Sequence, residues 1–261
     1  MRALICALLL LLSNVVTPAQ STILRDSLLQ EGERLQYKVK WKGLAAAKLQ
    51  MEVQPAEIAL DAYQLVMKVD TIGLVRDLMP WSDKLVTIVD KKTLLPQSTT
   101  ISERQDASKF FNYPTATLTN TVVLPTVQSP TMASATIVSP SLALTTVSQD
   151  LVALFWWLRR LTLQPEIQET VTVFSPASKQ TIELYVTRGQ QATIDTWRGK
   201  VMAQELVIKL REKQTFTDNY HIRFWVSKDA QRLPLLITAD PPFGRLQIEL
   251  TAQTQDVETE E

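Results

Sequence analysis

One cysteine, one histidine and six glycines are all that the 261-residue chain holds of those types. Each shortage excludes something. Cys6 cannot form an intramolecular disulfide, because it has no partner, and it lies in an apolar N-terminal run. Once that run is removed, no thiol remains for a nucleophile or a thiolate metal site. His221 alone cannot make a histidine metal cluster, and any Ser-His-Asp triad would have to use it. It sits in Asn219-Tyr220-His221-Ile222-Arg223, on the side of a strand that alternation assigns to solvent. Six glycines are well below an average usage of about 7%, which argues against Gly-rich phosphate loops. The acids Asp61, Asp70, Asp77, Asp83 and Asp90 are scattered, without calcium-loop spacing. Net charge is missing too: 27 basic side chains balance 27 acidic ones, so no field favours nucleic acid. Neither a metal nor a cofactor is expected.

Long apolar runs are confined to the N-terminus. Arg2 followed by Ala3 to Leu12, with Thr17-Pro18-Ala19 beyond, reads as a signal peptide over residues 1–19. Cleavage before Gln20 would leave a single net negative charge. Residues 20–31 read as a lead-in.

What is present is alternation. Leu35, Tyr37, Val39 and Trp41 fall on one face of a strand, and Arg34, Gln36, Lys38, Lys40 and Lys42 on the other. Leu49, Met51 and Val53 repeat the pattern, then Tyr63, Leu65, Met67 and Val69. This predicts an antiparallel meander with one wet face. Ile72, Leu74, Val75, Leu78, Met79 and Trp81 crowd a loop or single helical turn with Gly73 and Pro80, which either plugs the core or forms an exposed rim. Strands are predicted at 85–89, 97–103, 109–113 and 115–124. Residues 125–147, rich in Pro, Ser, Thr and Ala, read as a crossover. After it come strands at 170–174, 181–187, 191–197, 201–210, 222–226, 233–238 and 246–250, with hairpin turns at Arg188-Gly189 and Arg198-Gly199.

Between the two strand sets stands one helix, predicted over 149–161. Ser148 is its expected N-cap, with a Val147–Val152 staple, Asp150 at the positive end of the dipole and Arg159 and Arg160 at the negative end. Leu151 to Leu158 is apolar on every face, so burial is expected. The fold expected is mainly β: a curved antiparallel sheet, a half-barrel or open barrel, wrapped around this apolar helix. One domain would span 32–252, with a disordered acidic tail at 253–261.

Three patterns carry a resemblance: Gly32-Glu33-Arg34-Leu35-Gln36-Tyr37 through Trp41 and Gly43-Leu44-Ala45 to Ala47; Asp150 to Arg160; and Phe224 to Asp229 with Arg232-Leu233-Pro234 and Pro242-Phe243-Gly244. In this order they resemble the exported bacterial family named domain of unknown function 3108, which has no established activity. At the level of fold it is similar to lipoprotein carriers of the periplasm. The resemblance implies export to the periplasm of a Gram-negative bacterium and supplies no catalytic residue.

No catalytic site is therefore assigned. The leading expectation is a non-enzymatic envelope protein that binds a lipid-like or other amphiphilic component in an apolar concavity. The residues expected to line it are Trp41, Leu74, Trp81, Phe155, Trp156, Trp157 and Trp225. Trp197 adds to the aromatic mass. Lys38, Lys40 and Lys42, in a basic face with Arg34 and Lys48, are the expected contact for an anionic surface, with peripheral membrane contact as its consequence. The plainer reading of this face is a solvated strand face, or an edge guarded by lysine against aggregation. A structural or assembly partner in the envelope, without a ligand, is the alternative. A carboxylate-dependent hydrolase built from Glu33, Glu52, Glu103, Glu205 or Glu249 is the second.

Overall fold

A computed structural model describes residues 23–24, 28–56, 61–103, 117–119, 123–124, 126–127, 137–138, 148–175, 180–212, 215–241 and 244–255. The expected signal peptide, most of the crossover, the 109–113 strand and the tail from Asp256 lie outside these residues. The first half contributes β1 (Ile23–Leu24), β2 (Glu33–Trp41), β3 (Leu44–Pro55), β4 (Ala62–Thr71), helix α1 (Gly73–Leu78), β5 (Ser82–Asp90) and β6 (Pro96–Glu103). Short strands follow: β7 (Thr117–Thr119), β8 (Val123–Leu124), β9 (Thr126–Val127) and β10 (Ile137–Val138). Helix α2 (Leu151–Arg160) leads to β11 (Leu161–Thr162), β12 (Gln168–Ser175), β13 (Gln180–Thr196), β14 (Gly199–Glu212), β15 (Thr215–Ser227), β16 (Pro234–Ala239) and β17 (Leu246–Gln255).

Thirteen strands form one sheet, in the order β12-β13-β14-β15-β16-β17-β2-β3-β4-β5-β6-β7-β8, with every neighbouring pair antiparallel. Two small pairings, β1 with β11 and β9 with β10, stand apart. The sheet is a meander whose last strand, β17, returns beside its first long strand, β2. It is mainly antiparallel β and open, with β12 and β8 as its edges.

Turn chemistry sets the first hairpin. Trp41 pairs with Leu44, so Lys42-Gly43 is a two-residue loop, and both residues have positive φ, as a type I′ turn requires. A bulge follows, because Val39 faces Ala47 and Lys40 faces Ala45, leaving Ala46 extra. The expected turn at Arg188-Gly189 is instead a bulge inside the 17-residue β13, with a register shift between Arg188 and Gln191. Its glycine is explained by packing: a Cβ at 189 would lie 2.3 Å from the Glu205 carboxylate, which accepts from the Gln190 N–H at 3.1 Å. At the C-terminus, β17 continues to Gln255, so 253–255 is strand paired with β2 rather than tail.

Helix α2 starts later than expected. Its N-cap is Asp150, whose carboxylate accepts from Ala153 N–H at 2.7 Å; Ser148 lies outside the helix. Its C-terminal carbonyls are met by another element. Arg232, from the β15–β16 turn, donates to the Arg159 and Leu161 carbonyls at 2.9 and 2.6 Å. Arg159 is buried and grips Glu33 at the start of β2 with two bonds of 2.7 and 3.1 Å. Burial is not complete all round: Leu151 is exposed and Trp157 half-buried. Val152, Ala153, Phe155, Trp156 and Leu158 enter the core. Phe155 stands edge-on to Tyr37 of β2 and Phe224 of β15, with centroids 5.8 and 5.6 Å apart.

Candidate functional site

Tyr37, Phe224, Thr87 and Thr99 all touch α2 or its cap, so the face that carries them is the inner face of the sheet. Antiparallel neighbours reverse direction, so the turns of this barrel fall at two ends. Arg198, in the β13–β14 turn, reaches Gln231 in the β15–β16 turn at 3.0 Å and Gln253 of β17 at 2.9 Å. The C-terminus of α2 lies at this end, through Arg159 and Arg232. At the other end Lys42 N–H donates to the Arg245 carbonyl at 2.9 Å, joining the β2–β3 and β16–β17 connections. Ile72 N–H donates to the bulged Ala46 carbonyl at 2.9 Å, which adds α1.

The inner face changes character between these ends. Leu35, Tyr37, Met51, Leu65 and Phe224 are buried under α2. Toward the far end the same alternation continues through Val39, Val69, Leu85, Ile237 and Ile248, which are packed against the core yet only half-buried. The wall there is apolar apart from Asp83, opposite Val69, and less covered than under α2.

Its rim is more apolar still. Among the described residues, five of the eight exposed large hydrophobic side chains belong to it: Leu44, Leu74, Leu78, Met79 and Trp81, at 65, 65, 67, 44 and 45% exposure. Helix α1 buries none of its residues. Its backbone is nonetheless anchored. Thr71 Oγ1 donates to the Met79 carbonyl at 3.1 Å and accepts from Trp81 N–H at 2.9 Å, and Thr71 N–H donates to the Trp81 carbonyl at 3.0 Å. Of the two expectations for this stretch, rim is correct and core plug is not. Asp83 follows on the inner-facing side of β5; burial pushes its carboxyl up, against a hydrogen bond from the Trp81 side chain.

The expected site residues divide. Trp41, half-buried, closes the inner face at the end of β2, with Lys42 Nζ 5.1 Å above its ring. Leu74 and Trp81 stand on the rim. Phe155 and Trp156 are buried in the helix packing, and Trp157 is half-buried. Trp225 is a correction: it lies opposite Glu205 and Leu236, on the other face of the sheet from Phe224, and is buried there rather than on the inner face. Lys38 is exposed on that outer face, and Lys40 gives its charge to Glu249 at 2.6 Å, leaving Lys42 as the expected lysine at the rim. Val39, Val69, Leu85, Ile237 and Ile248 were not expected as site residues; their alternation was readable, but not their exposure.

The acids proposed for hydrolysis have cationic neighbours. Glu33 binds Arg159, Glu52 binds Lys68 at 3.0 Å, Glu205 meets Arg223 at 3.3 Å, and Glu249 holds Lys40. Glu103 ends β6.

Fold and site together define a class: an open antiparallel β-barrel, filled at one end by a helix and apolar at the other. The chain belongs to the family described as protein of unknown function DUF3108, whose model matches residues 36–251. No curated protein matches it. A crystal structure of a β-barrel-like protein of domain of unknown function DUF1849 from Brucella abortus shares its fold, at 14% identity and a TM-score of 0.53, covering 88% of this chain and 100% of that one. A protein from Bacteroides fragilis described as exported and YmcC-like in fold overlays at 0.36 with 10% identity, covering 90% and 100% of the two chains.

Proposed function

We propose that the protein is an exported, non-enzymatic carrier or receptor for an envelope amphiphile, whose acyl chain or equivalent apolar group lies along the open half of the inner face. The observation that carries this is the continuous apolar wall from the buried Tyr37 and Met51 to the half-buried Val39, Val69, Leu85, Ile237 and Ile248. Burying apolar surface there yields roughly 25 cal/mol per Å². Concave apolar walls with few polar groups are the usual form of a lipid site. The signal-like residues 1–19 support export, with the periplasm as the compartment. A scaffold role without a ligand is the second reading, favoured by the exposed rim.

Native mass spectrometry of protein purified from membranes tests the proposal. A co-purifying lipid is expected, and Val69→Trp or Ile248→Trp, which narrow the wall, should cut its occupancy by about tenfold, a loss of roughly 1.4 kcal/mol. Protein that carries no lipid and takes up no fluorescent fatty acid would overturn the carrier reading and leave the scaffold.

A further inference from the structure

We infer that the rim at the open end docks on an anionic lipid surface. This rests on the rim alone and holds whether or not the concavity carries a ligand. Three features argue for that occupant. Leu44, Leu74, Leu78, Met79 and Trp81 project from two adjacent connections, and the Ile72 to Ala46 bond ties those connections together. Thr71 holds the Met79–Trp81 backbone, so the apolar side chains are presented by a fixed loop. A tryptophan beside leucines and a methionine is the composition that settles at the boundary of headgroups and acyl chains.

Charge supplies the third feature. Lys42 and Arg76 are exposed on the rim itself, and Lys48 and Lys84 are exposed on the outer face just behind it. The acids at this end are Asp70, exposed opposite Lys48 on the outer face, Asp83, half-buried on the inner face, and Asp240, whose charge Arg245 balances at 3.7 Å. Asp77 is the exposed acid on α1. Lys42, Lys48, Arg76 and Lys84 thus outnumber the exposed acids Asp70 and Asp77 around the apolar tip, where basic residues add attraction to anionic headgroups.

Co-sedimentation of purified protein with vesicles decides it. Binding is expected to vesicles of phosphatidylcholine mixed with phosphatidylglycerol, weaker binding to phosphatidylcholine alone, and loss of the difference at high salt. The double variant Leu74→Asp, Leu78→Asp should weaken binding by about tenfold or more, and Trp81→Ser should weaken it in the same direction. Lys42→Glu with Arg76→Glu should lower binding to the anionic vesicles alone. Met202→Gln, at an exposed apolar side chain on β14 away from the rim, should change nothing. Circular dichroism of each variant checks that it is folded. Folded Asp and Ser variants that bind as well as wild type would overturn the inference. So would a protein that ignores both vesicles and sediments as a dimer dissociated by the Asp pair, which would assign the rim to a second copy.

Discussion

Arg159 is fully buried, yet every part of its guanidinium has work: two bonds to Glu33, and Nε and Nη2 to the Gln231 carbonyl at 3.2 and 2.9 Å. Its plane also lies 5.4 Å from the Trp156 ring. The pair ties the end of α2 to the first residue of β2 and to the β15–β16 turn. Gln253 of β17 adds a bond to Glu33 at 2.9 Å. A buried pair is not strongly stabilising as such, but stranding one partner is costly. Arg159→Met should therefore lower unfolding free energy by roughly 3–5 kcal/mol, read by urea denaturation. Adding Glu33→Leu should restore part of the loss, and a second loss of equal size would show the two residues to be independent.

At the scale of the element, α2 is the joint of an open sheet. Gln149 pairs with Val173 of the edge strand β12, its N–H donating to the Thr172 carbonyl at 2.8 Å and its carbonyl accepting from Phe174 N–H at 2.9 Å. The next residue, Asp150, accepts from Thr87 of β5 at 2.8 Å and from Thr99 of β6. Two consecutive residues thus bind strands from both halves of the meander, across the place where the sheet fails to close. Burial raises the Asp150 carboxyl, although hydrogen bonds from Thr99, Ala153 and Thr87 oppose it. The folded state then holds the proton more tightly than the unfolded state, whose carboxyl titrates near about 3.9. The stability linked to this group is fully present below that value and is lost as pH rises through the raised folded value. Wild-type stability minus that of Asp150→Asn should fall as pH rises over the acid range, measured by denaturation at stepped pH. A difference that does not vary with pH would place Asp150 at its ordinary value.

For the whole molecule, cohesion comes from one contiguous core shared by sheet and helix, with no covalent cross-link within the chain. The denaturation midpoint should be the same with and without reductant, because Cys6 has no intramolecular partner. A shift would reveal a bond between chains. The molecule is also polarised. Arg159, Arg232 and Arg198 knit the end that α2 fills, while the other end leaves an apolar wall and an apolar rim open. If the rim meets a bilayer, the mouth of the wall faces the same bilayer, and an acyl chain could pass between them without crossing water.

Period-two alternation was enough to read β2 to β5 and most of β14 to β17, because each strand buries one face and shows its class in a few residues. It also separated Tyr37 and Leu35 from Lys38 and Arg34. Local rules failed where a long-range contact decided the outcome. Arg188-Gly189 has turn composition, but Glu205 on the neighbouring strand makes it a bulge. Ser148 is a good cap, but Asp150 reaches Thr87 and Thr99 and so sets the first turn. Trp225 is buried like the other core aromatics, and only register assigned it to the opposite face of the sheet from Phe224. The site divides in the same way. An apolar stretch from Ile72 to Trp81 was visible in the chain, and so were its two destinies. Only the tertiary structure decided between them, because Thr71 and Ala46 hold that stretch by its backbone at the open mouth, while α2 fills the opposite end. By itself the sequence determined β2 to β5, most of β14 to β17, helix α2 and the want of a disulfide and a histidine cluster. Which apolar residues are left uncovered depends on contacts between elements far apart in the chain, and no local pattern encodes those.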